Sequence, residues 1–280
     1  MIHGGWQPPC PAPATVPIPV MRIALGLSYA GTAYHGWQSQ PHGRTVQDRL
    51  EQALARFAGQ PLATRCAGRT DAGVHALLQV VHFDTSVRRE PFSWVRGTNH
   101  FLPPDIAVQW ARPVPDTFHA RASATSRRYA YVLLQSPVRP SLESGRVGWV
   151  FRELDADAMR RAADHLLGRH DFSSFRASGC QARSPVKTLT SITLRRIGAY
   201  WHFGFEADGF LYHMIRNIMG CLVYVGQGAR TPQWMQEVLQ ARSRRAAAPT
   251  FAADGLYFHG PVYASHWQLP QDVLAYDWLP

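Results

Sequence analysis

In the stretch AGRTDAGVH, residues 67–75, a lone carboxylate sits among small residues. Ala67, Gly68, Ala72 and Gly73 remove side-chain bulk on both sides of Arg69 and Asp71, so a ligand or another run of backbone can come close. An ionised aspartate there can serve as nucleophile or base, and Arg69, two residues away, can favour the anion or hold a phosphate. The plainer reading is a turn that Thr70 and Asp71 cap and in which the glycines take positive φ.

A second set lies in DGFLYHMIRNIMGCLVYV, residues 208–225. Leu211, Met214, Ile215, Ile218, Met219 and Leu222 make a wide apolar helical face, with Arg216 and Asn217 inside it. A buried guanidinium needs an anion, which can be a site carboxylate or an RNA phosphate, whereas an arginine at the polar edge of the helix needs neither. In FHARASATSRRYAYVLL, residues 118–134, Arg121, Arg127 and Arg128 are interleaved with Tyr129 and Tyr131. Basic groups can follow a phosphate backbone while a ring stacks on an exposed base, though a strand with a cationic edge has the same composition. Arg169, Arg176, Arg183 and Lys187 accompany a Gly/Ser-rich loop that suits phosphates equally well. His35, His75, His82 and His213 lack metal-ligand spacing and read as core or surface residues.

The elements that must position these groups follow from local signals. RIALGLSY alternates apolar with small or polar residues and predicts a half-buried strand. Thr45 and Asp48 open an amphipathic helix over VQDRLEQALARF that Gly59 stops. Strands are expected at QVVHF, DIAVQWA, RRYAYVLL, LTSITLRRI, WHFGFEA and GLYFHGPVY. Helices are expected from Pro91 through Val95, from Asp155 to Leu167, from about Phe210 to Val225, and after a Thr231 cap with Pro232 at the first helical position. Without strict βαβ alternation, this is an α+β chain with a largely antiparallel sheet.

Composition narrows the partners. The chain of 280 residues carries 29 basic against 19 acidic residues and a net charge of +10, which favours a polyanion. Arginine accounts for 28 of those 29, a bias that GC-rich coding would also produce. Cys10, Cys66, Cys180 and Cys221 form no CxxC pair, which argues against a zinc site or a disulfide scaffold and fits a reducing cytoplasm. No apolar run approaches the roughly 18 residues of a membrane helix, and no export signal is evident.

Taken together and in order, RIALGLSYAGTAYHGWQ, GRTDAGVHA, LPPDI, FHARASATSRRYAYVL, HDFSSFRASGCQ, SPVKTL, FLYHMIRNIMG and GLYF resemble the bacterial tRNA pseudouridine synthase A family from Met21 to about Tyr263. The resemblance implies isomerisation of uridine to pseudouridine at positions 38, 39 and 40 of the tRNA anticodon arm, with no cofactor and no metal. It implies Asp71 as catalytic residue, Arg69 as the base-flipping arginine, Tyr129 as the ring on the target uracil, Arg216 as the partner of the carboxylate, and Leu256 as an apolar wall. Arg121, Arg127 and Arg128 would then be substrate-binding. The implied fold is the pseudouridine synthase fold, two RRM-like (ferredoxin-like) halves sharing one sheet, in a cytoplasmic homodimer with no membrane partner. The expected division is a proline-rich arm over 1–20, a catalytic half over 21–140, a second half over 141–264 and a tail over 265–280.

Two other functions fit parts of this pattern. A catalytically inactive tRNA-binding protein would keep the basic patches but has no need of Asp71 facing phosphates. A nucleoside or glycoside hydrolase commonly needs a second carboxylate, and Asp171 and Asp208 read better as turn or cap residues.

Overall fold

The computed structural model describes residues 20–270. The expected arm, apart from Val20, and residues 271–280 lie outside them. In chain order the elements are β1 (Met21–Tyr29), α1 (Val46–Ala58), β2 (Arg65–Cys66), β3 (His75–Thr85), α2 (Pro91–Phe101), β4 (Ile106–Val114), β5 (Ala124–Gln135), β6 (Gly148–Val150), α3 (Ala156–Asp164), β7 (Gly168–Asp171), β8 (Val186–Ile197), β9 (Tyr200–Ala207), α4 (Met214–Gly226), α5 (Gln233–Ala241) and β10 (Leu256–Tyr263).

All ten strands join one sheet in the order β4-β1-β3-β10-β5-β9-β8-β7, with β2 on β3 and β6 on β5. Pairing is antiparallel except at β10–β3 and β5–β6. The chain is therefore α+β with a mostly antiparallel sheet. The two ends of the sheet carry separate cores. Ile23, Leu25 and Leu27 of β1 pack with Leu50 and Leu54 of α1 and Trp94 of α2, whereas Tyr131, Leu133 and Phe203 pack under Met159, Ile218, Leu222 and Val238. β10 interlocks them, because this strand, the last among the described residues, lies between β3 and β5.

Local chemistry accounts for the firm boundaries. Thr45 accepts the Asp48 N–H and Asp48 accepts that of Thr45, a reciprocal cap, and Gly59 ends α1 at φ +73°. Other boundaries differ from expectation for tertiary reasons. α2 runs past Val95 through Gly97, where the Phe57 ring lies so close that a Cβ would meet it at 2.0 Å. α4 starts at Met214 instead of Phe210, since His213 turns to φ +60°. α5 starts at Gln233, with the Thr231 carbonyl taking the Trp234 N–H while no side chain caps the helix.

β1 is buried on both faces and not on one: Ala24 joins a third cluster with Phe118 and Tyr263, and a Cβ on Gly26 would be 2.2 Å from the Trp110 indole. Leu269 and Trp267, in the stretch expected as tail, pack into that same cluster.

Candidate active site

Asp71 lies in the loop between β2 and β3, at the seam where β10 bridges the two cores. Three neighbours hold the loop. The Tyr29 hydroxyl is 2.8 Å from Thr70 Oγ1, the Thr70 carbonyl accepts the Trp37 N–H at 3.0 Å, and the Gln79 amide donates to the Gly68 carbonyl at 2.6 Å. Gly36, at φ +85°, makes the approach of the 34–37 segment possible: a Cβ there would sit 2.6 Å from the Thr70 carbonyl oxygen. Gly73, also at positive φ, closes the loop as its N–H reaches the Tyr34 carbonyl at 3.3 Å.

α4 and the turn before it bring two basic side chains. Arg216 Nη1 and His213 Nε2 each lie 3.5 Å from Asp71 Oδ2, and the three side chains are only 16%, 22% and 17% exposed. Arg216 is aimed by its second bond, from Nε to the Phe251 carbonyl at 2.9 Å, while its own carbonyl accepts the Phe251 N–H at 3.1 Å. Asn217 beside it is fully buried and structural: it donates to the Phe175 carbonyl and accepts from Arg244 and Thr250. Burial raises the Asp71 carboxyl above the usual carboxylate range, and the nearby His213 and Arg216 charges pull it back only in part. Burial likewise lowers His213, against the pull of the Asp71 charge. The outcome is a shielded carboxylate flanked by a guanidinium and a titratable imidazole.

Tyr129 of β5 shares this side of the sheet. Its ring centroid is 4.9 Å from that of Phe258 and 5.1 Å from that of Phe210, and Phe258 in turn lies against Gly68 of the Asp71 loop. Burial, followed by the negative charge of Asp71, raises its phenol, so the hydroxyl stays protonated. Arg69 leaves the same loop in another direction: it is exposed and donates to Gln181 Oε1 at 2.6 Å, so Arg216 and not Arg69 is the guanidinium paired with the carboxylate. Leu256 is buried at the start of β10, opposite Tyr131.

The three arginines ahead of Tyr129 separate. Arg127 is held by the carbonyls of Ala124, Asp208 and Arg121, which ties the 121–124 turn to the end of β9. Arg128 points to the other face of the sheet, as strand alternation requires. Arg121 is exposed.

Asp171 accepts from the Ser173 N–H and hydroxyl in a local turn, and Asp208 accepts the Thr188 N–H of β8, capping the end of the β8–β9 pair. His75 is a core residue whose Nδ1 accepts the Gly31 N–H while Nε2 donates to the Gly145 and Asp254 carbonyls. His213 is the residue that sequence reasoning missed. It lies three residues before Arg216 but in the left-handed turn ahead of α4, not on a helical face, and metal-ligand spacing was the wrong template to test it against.

Comparison with known proteins gives a consistent result. A family model described as tRNA pseudouridine synthase matches residues 27–121 and 162–264. The protein named tRNA pseudouridine synthase A of Paracidovorax citrulli is 68% identical over 278 residues, covering 93% of this chain and all of that one. Its namesake in Methylibium petroleiphilum is 68% identical over 260 residues with the same coverage, and that of Variovorax paradoxus is 69% identical, covering 90% of this chain and 95% of its own.

Proposed function

The chain belongs to the tRNA pseudouridine synthase family, and we propose that it isomerises uridine to pseudouridine at positions 38, 39 and 40 of the tRNA anticodon arm, with Asp71 as its catalytic residue. Uridine and pseudouridine have the same composition. The bond from C1′ to N1 breaks, a bond from C1′ to C5 forms, the proton on C5 leaves and N1 gains one. No electron pair or phosphoryl group is left over, so the chemistry itself calls for no cofactor. Three routes are open to the carboxylate: attack on C1′, addition to C6, or removal of a ribose proton. Each requires the anion.

The observation that carries the reading is the guanidinium and the imidazole that meet on one oxygen of a shielded Asp71. Burial alone would protonate the carboxyl, and the fixed charge of Arg216 keeps the anion accessible in a site dry enough to strengthen it. Tyr129 offers its ring to the uracil. Arg69, on the same loop but reaching outward, is placed to fill the space of an everted base once it leaves Gln181. Leu256 supplies apolar bulk behind the pocket, and the exposed Arg121 is available to the phosphate backbone. Arg127 serves substrate by shaping the 121–124 turn. Two chains sharing a tRNA, in the cytoplasm, complete the reading, with residues 21–140 supplying the Asp71 loop and 141–264 the Arg216 helix.

An inactive binder on this scaffold has no use for a shielded carboxylate. The test is pseudouridine mapping on tRNA incubated with the purified protein and with Asp71→Asn. The variant should form no pseudouridine while its tRNA affinity stays within about threefold, since phosphate contacts dominate binding. It should also melt no lower than the parent. A carboxyl whose folded-state pKa is raised favours the fold when protonated and loses that contribution as pH rises, so at neutral pH the ionised Asp71 is a cost that asparagine removes. Pseudouridine formed by Asp71→Asn would refute the assignment.

A further inference from the structure

The backbone at the start of α4 is unusual at one position. His213 takes φ +60° as the residue before the helix, yet its side chain makes no capping bond. That conformation is uncommon outside glycine, and histidine is among the residues that adopt it most readily. The turn is held from outside: the Tyr212 N–H donates to Cys180 Sγ at 3.4 Å, the Tyr212 carbonyl accepts the Ala177 N–H, and the Tyr212 ring lies 4.0 Å from the imidazole. The consequence is that Nε2 reaches the same Asp71 oxygen as Arg216 does, one base arriving from the turn and the other from the first turn of the helix.

We propose that His213 is a positioning residue for the isomerisation, acting through Asp71: it is a second, titratable partner that holds the carboxylate ionised and aimed beside the fixed charge of Arg216. The inference rests on Asp71 being the catalytic carboxylate. Both contacts, at 3.5 Å, exceed the length of a charge-assisted hydrogen bond, so the cluster has room to tighten when substrate arrives. The groups that set its balance are Asp71 on the loop, Arg216 on α4 and Arg244 after α5, with Tyr129 of β5 facing the carboxylate. Burial moves Asp71 up from 3.8 and His213 down from 6.5, so the two titrate toward each other and hold protons as a pair. Without the imidazole the carboxylate has Arg216 alone and takes its proton at higher pH.

The test is the single-turnover rate of tRNA modification by His213→Asn across about pH 5 to 8. Asparagine accepts the left-handed backbone but cannot hold a charge. The acidic limb of the profile should move up by about one pH unit. The variant should thus lose about tenfold more rate at the acid end than at the alkaline end, with tRNA affinity and melting temperature near the parent's. An unmoved limb, or a loss equal at every pH, overturns the proposal. If His213→Asn melts low, His213→Gly, which takes φ +60° freely, is measured in its place and read the same way. Activity in Asp71→Asn would refute the functional reading itself, whereas an inactive Asp71→Asn with an unmoved limb in His213→Asn refutes this inference alone.

Discussion

Replacing Gly36 with alanine should damage the active site from outside it. The residue is at φ +85°, and an ideal Cβ would lie 2.6 Å from the Thr70 carbonyl oxygen, 3.1 Å from the Asp71 carbonyl carbon and 3.2 Å from the Ala72 nitrogen. All three are backbone atoms of the loop that presents Asp71, so no side chain can swing aside. The left-handed conformation costs an alanine about 1–2 kcal/mol. Overpacking against backbone adds about 1–3 kcal/mol, giving a total of about 2–5 kcal/mol. Gly59→Ala is the matched control: it has φ +73° with nothing within 4 Å of its Cβ, so it carries the conformational cost alone. Denaturant unfolding of both variants, paired with pseudouridine formation at a temperature where each is folded, separates the two terms. Gly59→Ala should lose about 1 kcal/mol and no activity. Gly36→Ala should lose more stability and also activity per folded molecule, because relief of the clash displaces Asp71. Equal losses in the two variants, or full activity in Gly36→Ala, would refute the claim that the 34–37 segment sets the position of the carboxylate.

Two further substitutions probe the cleft and the scaffold separately. Tyr129→Phe should keep most of the activity and Tyr129→Leu should lose most of it, as single-turnover rates will show, since the flat ring between Phe210 and Phe258 is the feature assigned to uracil stacking; equal losses would assign the role to the hydroxyl. Thr45→Ala should lower unfolding free energy by about 1 kcal/mol through loss of the α1 cap and leave the rate per folded molecule unchanged.

What was legible in the sequence is what short-range physics decides. Thr45, Asp48 and Gly59 bound α1 because a cap and a left-handed stop act within four residues. The period of two identifies β5 and also separates Arg127 and Tyr129 from Arg128, a consequence of the pleat that reading all three as one basic patch overlooks. The small residues around Asp71 announce a place of close approach, and Arg216 within an apolar face announces the need for an anion.

Local pattern leaves that anion open between a site carboxylate and an RNA phosphate; the family resemblance implies Asp71, and the tertiary fold is what brings the two side chains together. Asp71 and Arg216 are 145 residues apart, and they meet because β10 inserts between β3 and β5 and so joins the core under α1 to the core under α4. The same long-range packing ends α2 later and starts α4 later than local patterns predict: α2 continues through Gly97, which is a contact surface for Phe57, and His213 is turned out of the helix toward the carboxylate. Helix caps and strand periods act over a few bonds. A charge pair across a sheet seam depends on the relative placement of elements distant in the chain, and no window along the chain contains that information.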